Sequence, residues 1–142
     1  MINMEDLLKL EKQICFPAYV FSREITNLYR PLLDKLDITY PQYLVLLVLW
    51  DEEVKTVNQL GEKLRLDSGT LTPLLKRLEQ KGFVNRTRSK QDERVVIISL
   101  TLEGKNLRNM ATDIPQNILK CLDVSLDEIT QLKDLLNKML KK

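Results

Sequence analysis

The sequence predicts a mainly helical fold in which a helix, a tight turn and a second helix are followed by a small two-stranded hairpin. Three observations lead there. Gly and Pro are scarce, at four and five of 142 residues, while Leu, Ile and Val dominate an apolar fraction of 44%; that balance favours helices over turn-rich sheets. Capping-box spacings recur just ahead of apolar segments, which marks helix starts. One stretch, from Phe83 to Leu100, is strand-like on both sides of a polar turn.

Taken in order, Met4–Lys12 is amphipathic, with Leu7, Leu8 and Leu10 on its apolar side, and is expected to be helical. Proline is tolerated in the first turn of a helix, so Pro17 places a helix start or kink near Phe16, with the helix running to about Leu36. Thr39-Tyr40-Pro41-Gln42 has capping-box spacing and leads into Tyr43–Trp50, apolar on all sides and hence a core helix. Thr56-Val57-Asn58-Gln59 repeats that spacing and opens a helix reaching Leu64. Asp67–Thr70 is the turn, and Leu71, Leu74, Leu75 and Leu78 form the buried stripe of the next helix. Lys81-Gly82 ends it, because glycine takes the left-handed conformation at a helix C-terminus. Phe83–Arg88 and Arg94–Leu100 are the strands and Ser89–Glu93 the turn. Thr101 then caps a long helix, and Ser125 with Glu128 caps a final one lined by Leu126, Ile129, Leu132, Leu136 and Met139. The organisation is one domain, 1–142, containing the helix–turn–helix and hairpin at 55–100, with helical segments 1–36 and 102–142 around it.

Composition excludes several function classes. There is no histidine, which removes the Ser-His-Asp triad, the Cys-His pair and nearly every catalytic zinc site. Cys15 and Cys121 lie too far apart in sequence for a local metal knuckle. An enzyme is therefore not expected, nor any cofactor or metal. No apolar run approaches the roughly 18 residues that span a bilayer, and acidic residues Glu5, Asp6 and Glu11 interrupt any leader-like pattern. A cytoplasmic chain with no membrane partner is expected.

Charge is unevenly placed. Lys55–Arg94 holds ten Lys or Arg and five Asp or Glu, a net +5, although the whole chain carries +2. Positive charge concentrated on one compact unit calls for a polyanionic partner. In a helix–turn–helix the second helix enters the major groove of duplex DNA with its N-terminal residues nearest the base edges. Here those are Ser68, Gly69, Thr70, Leu71, Thr72 and Pro73, with Lys76 and Arg77 one turn further on and suited to phosphates or guanine. Around the hairpin turn stand Arg86, Arg88, Lys90 and Arg94. Asp92 is placed to hold Arg94 rigidly for a narrow minor groove. The bland reading, a solvated charged turn, loses ground once the two helices precede it.

Leu66-Asp67-Ser68-Gly69-Thr70-Leu71-Thr72-Pro73-Leu74-Leu75-Lys76-Arg77-Leu78-Glu79, followed by Arg86-x-Arg88-Ser89-x-x-Asp92-Glu93-Arg94, resembles the MarR family of bacterial transcription regulators. The likeness spans essentially the whole chain. It implies a winged helix–turn–helix, with the N- and C-terminal helices (1–36 and 102–142) forming a dimerisation region. The implied partners are a second copy of the chain and double-stranded DNA carrying a pseudo-palindromic operator. The apolar stripe of the final helix agrees with a dimer, though packing within one chain would satisfy it equally.

Cys15 lies in Gln13-Ile14-Cys15-Phe16-Pro17. One cysteine among apolar residues is ordinarily an inert core residue. Three features favour reactivity: a helix N-terminus at Pro17, whose positive end stabilises a thiolate; Lys12, one helical turn earlier; and Tyr29 and Tyr40, whose hydroxyls can hydrogen-bond the thiolate. Cys15, Phe16, Tyr29 and the run Ile38–Tyr43 resemble the organic-hydroperoxide-sensing branch of the MarR family. That resemblance implies that Cys15 is the peroxidatic thiol, Tyr29 and Tyr40 its hydrogen-bonding partners, and DNA release the consequence of oxidation. It leaves Cys121 either as a buried small apolar residue or as the resolving thiol of an intersubunit disulfide. Two other readings stay open. One is a regulator responding to a small aromatic ligand, with Trp50 and the tyrosines lining its pocket; the other, less favoured, is a thiol peroxidase.

Overall fold

The computed structural model describes residues 3–141. Its elements run α1 (Cys15–Asp34), α2 (Tyr40–Asp51), β1 (Val54–Thr56), α3 (Val57–Leu64), α4 (Ser68–Gln80), β2 (Val84–Arg88), β3 (Val96–Leu100), α5 (Leu102–Ala111), α6 (Ile114–Leu122) and α7 (Leu126–Leu140). The fold is mainly helical, with a three-stranded antiparallel sheet ordered β1-β3-β2. The backbone divides into two compact units, Met1–Thr112 and Asp113–Lys142.

Local chemistry sets most helix starts. At α2, Thr39 accepts from the Gln42 amide while the Gln42 side chain accepts from the Thr39 amide, with Pro41 in the first turn. Thr56 and Gln59 repeat this reciprocal pair at α3, and Ser125 and Glu128 at α7. Each pair satisfies two amides that a helix end otherwise leaves unbonded. The Ser125 amide and hydroxyl hold the Glu128 carboxyl below its ordinary range.

Four expectations need correction. Met4–Lys12 is not an α-helix but two short 3-10 turns, Asp6–Leu8 and Leu10–Lys12, and Leu7, Leu8 and Leu10 stay exposed. Without a surface to cover, an apolar stripe that short does not sustain a helix. A third strand, β1, pairs with β3 in register Val54–Ser99, Lys55–Ile98 and Thr56–Ile97; three residues are too few to show alternation in sequence. The turn before α4 is shorter than expected, since Arg65 takes the left-handed conformation (φ 55°) and the helix already begins at Ser68. The long helix after Thr101 breaks into α5 and α6 at Thr112-Asp113, where Pro115 suits the first turn of a new helix.

The core of the first unit is built on α2 and α4. Tyr43, Val45, Leu46, Val48 and Leu49 of α2 are buried, as are Leu71, Leu75 and Leu78 of α4; Leu74 is half-buried and Leu47 exposed. Val84, Ile98 and Leu100 carry this core into the sheet. Gly82 has φ 82° and turns the chain from α4 into β2. Trp50 donates its indole N–H to the Gly104 carbonyl at 2.9 Å, tying α2 to α5. In the second unit α7 has no buried residue, so its stripe of Leu126, Leu132, Leu136 and Met139 is uncovered in the single chain.

Gly104 lets α5 approach the start of β2. A Cβ there would overlap the Phe83 carbonyl oxygen and crowd Leu100. The variant Gly104→Ala should therefore unfold more easily by about 1–3 kcal/mol, despite alanine's better helix propensity. Thermal and denaturant unfolding check this, and an unchanged or raised stability would contradict the close approach.

Candidate nucleic-acid interface and thiol site

Burial of Leu71, Leu75 and Leu78 turns the opposite face of α4 to solvent, where Ser68, Thr70, Pro73, Lys76 and Arg77 are exposed and Thr72 is half-buried. Asp67 precedes the helix, and its carboxylate accepts from the Thr70 hydroxyl at 2.6 Å. That bond, helped by backbone amides of the same turn, holds Asp67 below the ordinary carboxylate range. Ser68, Thr72, Lys76, Arg86, Arg88 and Arg94 line a groove of about 410 Å³. Thr56 and Asn58, at the start of α3, border the same groove; the sequence shows them only as part of a capping box, because α3 is brought to the groove by the fold.

The wing is ordered by its own side chains. Arg94 donates from Nε and a terminal nitrogen to the two carboxylate oxygens of Asp92, at 3.1 and 3.2 Å, and its backbone amide also reaches Asp92. This grip keeps the Asp92 carboxyl below its usual range. Even so, the Arg94 side chain remains 91% exposed, aimed outward while held at its base. Arg88 donates to the Glu93 carbonyl at 2.8 Å, bracing the turn from the other strand. Lys90 is exposed near the tip.

Arg86 sits differently from its neighbours. A terminal guanidinium nitrogen lies 3.5 Å from Glu79 on α4, whose other carboxylate oxygen accepts the Arg86 amide at 3.2 Å. The guanidinium Nε is buried without a hydrogen-bond partner. Arg86 thus joins the reading helix to the wing, and Glu79 is the functional residue the sequence reading missed beside it.

Cys15 is the first residue of α1 and is exposed; Cys121, near the end of α6, is exposed too rather than buried. Helix α1 begins at Cys15 itself, with Ile14 as its cap and Pro17 within the first turn. Lys12 belongs to a separate 3-10 turn, so it is not a helical turn before Cys15 on a shared helix.

Tyr29 and Tyr40 do come together, with ring centres 4.9 Å apart, and Tyr43 completes a cluster at 5.7 and 6.3 Å from them. Trp50 meets Tyr43 edge-on at 6.3 Å. Burial, then the neighbouring Tyr40 and Tyr43 hydroxyls, push the Tyr29 phenol up to about 12, and burial raises Tyr40 and Tyr43 as well. All three remain protonated donors at neutral pH. However, Cys15 and Tyr29 are fourteen residues apart on one helix, which at 1.5 Å per residue separates them by roughly 21 Å. The two cannot hydrogen-bond within one chain. Beside the cluster lies a second groove of about 310 Å³, bordered by Thr26, Arg30, Asp34, Thr39 and Tyr40.

Comparison with known proteins bears on both regions. Residues 27–110 match the family model for the transcriptional regulator SarA/Rot. The organic hydroperoxide resistance transcriptional regulator of Bacillus subtilis (strain 168) is 55% identical over 141 residues, covering 99% of this chain and 96% of that protein. The chain belongs to the MarR/SarA family of transcriptional regulators. Among solved structures, reduced AbfR bound to DNA superposes with a TM-score of 0.81 at 40% identity, covering 98% of this chain and 97% of the other; AbfR is a Staphylococcus epidermidis protein. Disulfide-formed AbfR, 39% identical with 96% of each chain covered, superposes less well, at 0.67. A MarR variant from E. coli in complex with operator DNA gives 0.76 at 27% identity, with 99% of each chain covered. These MarR-type neighbours share the winged helix–turn–helix expected from the sequence, and the chain is a regulator rather than an enzyme.

The tyrosine cluster has a direct spectroscopic signature. The folded state holds the Tyr29 proton above the ordinary tyrosine value of 10. The cluster's contribution to stability is therefore complete below pH 10 and is lost as pH rises through about 12. In an ultraviolet titration, phenolate absorbance from Tyr29 should appear only toward that upper limit, and Tyr29→Phe should remove that late step. A late step of undiminished amplitude in the variant would contradict the assignment.

Proposed function

We propose that the protein is a dimeric, cytoplasmic DNA-binding regulator that holds its operator while Cys15 is reduced and lets go once an organic hydroperoxide oxidises it. The observation that carries the DNA half is the basic groove between α4 and the wing, with Arg94 presented by Asp92. Ser68, Thr70, Thr72 and Pro73 face the major groove, Lys76, Arg77, Arg88 and Lys90 meet phosphates, and Arg94 enters the minor groove. Arg86 couples α4 to the wing rather than reaching far outward.

Dimerisation supplies what the single chain lacks. Ile14 at the cap of α1, Phe16, Tyr19 and Phe21 on α1, and the stripe on α7, are exposed apolar surfaces that a second copy would cover. A second copy also brings its own tyrosine cluster to Cys15, which the length of α1 forbids within one chain. Hydroxyls that remain protonated then donate to the thiolate. The thiolate attacks the terminal peroxide oxygen, the O–O bond breaks, an alcohol leaves and a sulfenic acid forms. Cys121 of the partner subunit is the resolving thiol; its sulfur displaces the sulfenic oxygen as water and leaves a disulfide. The form in which the relative AbfR was solved, with a disulfide, supports that step.

Two experiments test this reading. Titrating an organic hydroperoxide into a DNA-binding assay should release wild-type protein, whereas Cys15→Ser should bind DNA within about threefold of wild type and stay bound. Equal release of the variant would exclude the thiol. Secondly, Asp92→Ala removes a negative charge, and bulk electrostatics alone would tighten DNA binding. Presentation of Arg94 by Asp92 instead predicts binding weakened about tenfold. Tighter binding would show that the wing arginine needs no holder.

A further inference from the structure

Lys81 lies in neither the DNA-facing set nor the thiol site, yet it joins the elements that carry them. It follows α4 directly, and its amide bonds back to the Arg77 carbonyl at 3.0 Å. Its ammonium crosses to the corner between α1 and α2. There it donates to the Asp37 carbonyl, lies 3.7 Å from the Asp37 carboxylate, and donates to Gln42 Oε1 at 3.4 Å.

Both acceptors are fixed from the sensor side. Asp37 sits in the left-handed conformation (φ 55°), with its amide bonded to the Asp34 carbonyl at the end of α1. Aspartate is among the few non-glycine residues that take that conformation as single residues. Gln42 is 2% exposed, and the same Oε1 that receives Lys81 also accepts the Thr39 amide in the α2 capping box. Tyr40 stands between Thr39 and Gln42, and Tyr43 follows directly, so two of the three clustered tyrosines share the first turn of α2 with the Lys81 acceptor.

From this we infer that Lys81 is a positioning residue for the redox response, transmitting displacement of the tyrosine cluster to the C-terminal end of the DNA-reading helix. The inference rests on the proposed release of DNA by Cys15 oxidation. A shift of Tyr40 moves the first turn of α2, and with it Gln42 Oε1 and the α1–α2 corner. The ammonium, held by both, carries that shift to α4. Coupling of this kind needs a physical element that both sites bias, and the Lys81 bridge provides one.

The test compares DNA affinity of each protein in two states, fully reduced and oxidised at Cys15 to completion by cumene hydroperoxide, with oxidation verified by intact mass. Wild type sets the ratio of oxidised to reduced Kd. Lys81→Met keeps the aliphatic stem and should leave the reduced Kd and the rate of Cys15 oxidation nearly unchanged while the ratio collapses by about tenfold. Lys81→Arg, which still spans both acceptors, should restore it. A purely structural lysine would alter unfolding without changing the ratio. Should the methionine variant fail to fold, Lys81→Gln, neutral and too short to bridge, makes the same comparison. Wild-type release with an undiminished ratio in the neutral variant overturns the role of Lys81 and leaves the redox reading standing. Failure of oxidised wild type to release DNA overturns that reading, and the relay with it.

Discussion

The structure depends on α4 serving two environments at once. Leu71, Leu75 and Leu78 have no exposed surface, and burying three such side chains stabilises by several kcal/mol in total. That burial fixes the rotation of the helix about its axis, and the rotation in turn decides that Ser68, Thr70, Lys76 and Arg77 face outward. The C-terminal end is fixed by Gly82, where the left-handed turn sends the chain into β2. Glu79 then holds Arg86, so the wing follows the helix as one piece. In the proposed switch, control reaches this DNA-reading unit through the elements packed against it.

The second constraint is the length of α1. A helix that starts at Cys15 and carries Tyr29 on its fourth turn separates the thiol from the tyrosines by about 21 Å. Chemistry that needs both must therefore combine two chains. Exposed apolar residues on α1 and α7 make the same demand on independent grounds. Under the proposed function, sensing and assembly become one problem, because the contact that would complete the thiol site would also set how far apart two reading helices stand. Small movements there matter, since two helices must dock on sites about one DNA turn apart.

Features governed by neighbours three or four residues apart were legible in the sequence. The Thr39–Gln42, Thr56–Gln59 and Ser125–Glu128 boxes all form, and Asp92 grips Arg94 across two positions. Features that depend on distant partners were not. Strand β1 exists because β3 offers it hydrogen bonds, not because Val54-Lys55-Thr56 has a strand pattern. The stripe of Leu7, Leu8 and Leu10 read as a helix because periodicity reports an apolar face and not whether anything covers it. The Tyr43–Tyr29, Glu79–Arg86 and Lys81–Asp37 contacts were invisible for the same reason: each joins residues distant in sequence. Tyr29 and Tyr40 meet as the sequence suggests, but their distance from Cys15 follows only from the length of α1.

The central claim is that each thiol site is shared between two protomers, and subunit mixing tests it most directly. In heterodimers pairing a Cys15→Ser chain with a Tyr29→Phe chain, one shared site stays intact, so Cys15 should react with hydroperoxide at the wild-type rate per intact site. Pairing a chain that carries both substitutions with a wild-type chain breaks both shared sites, and fast oxidation should vanish. The opposite pattern, with fast oxidation kept only in the second pairing, would place thiol and tyrosine in the same chain and contradict the account.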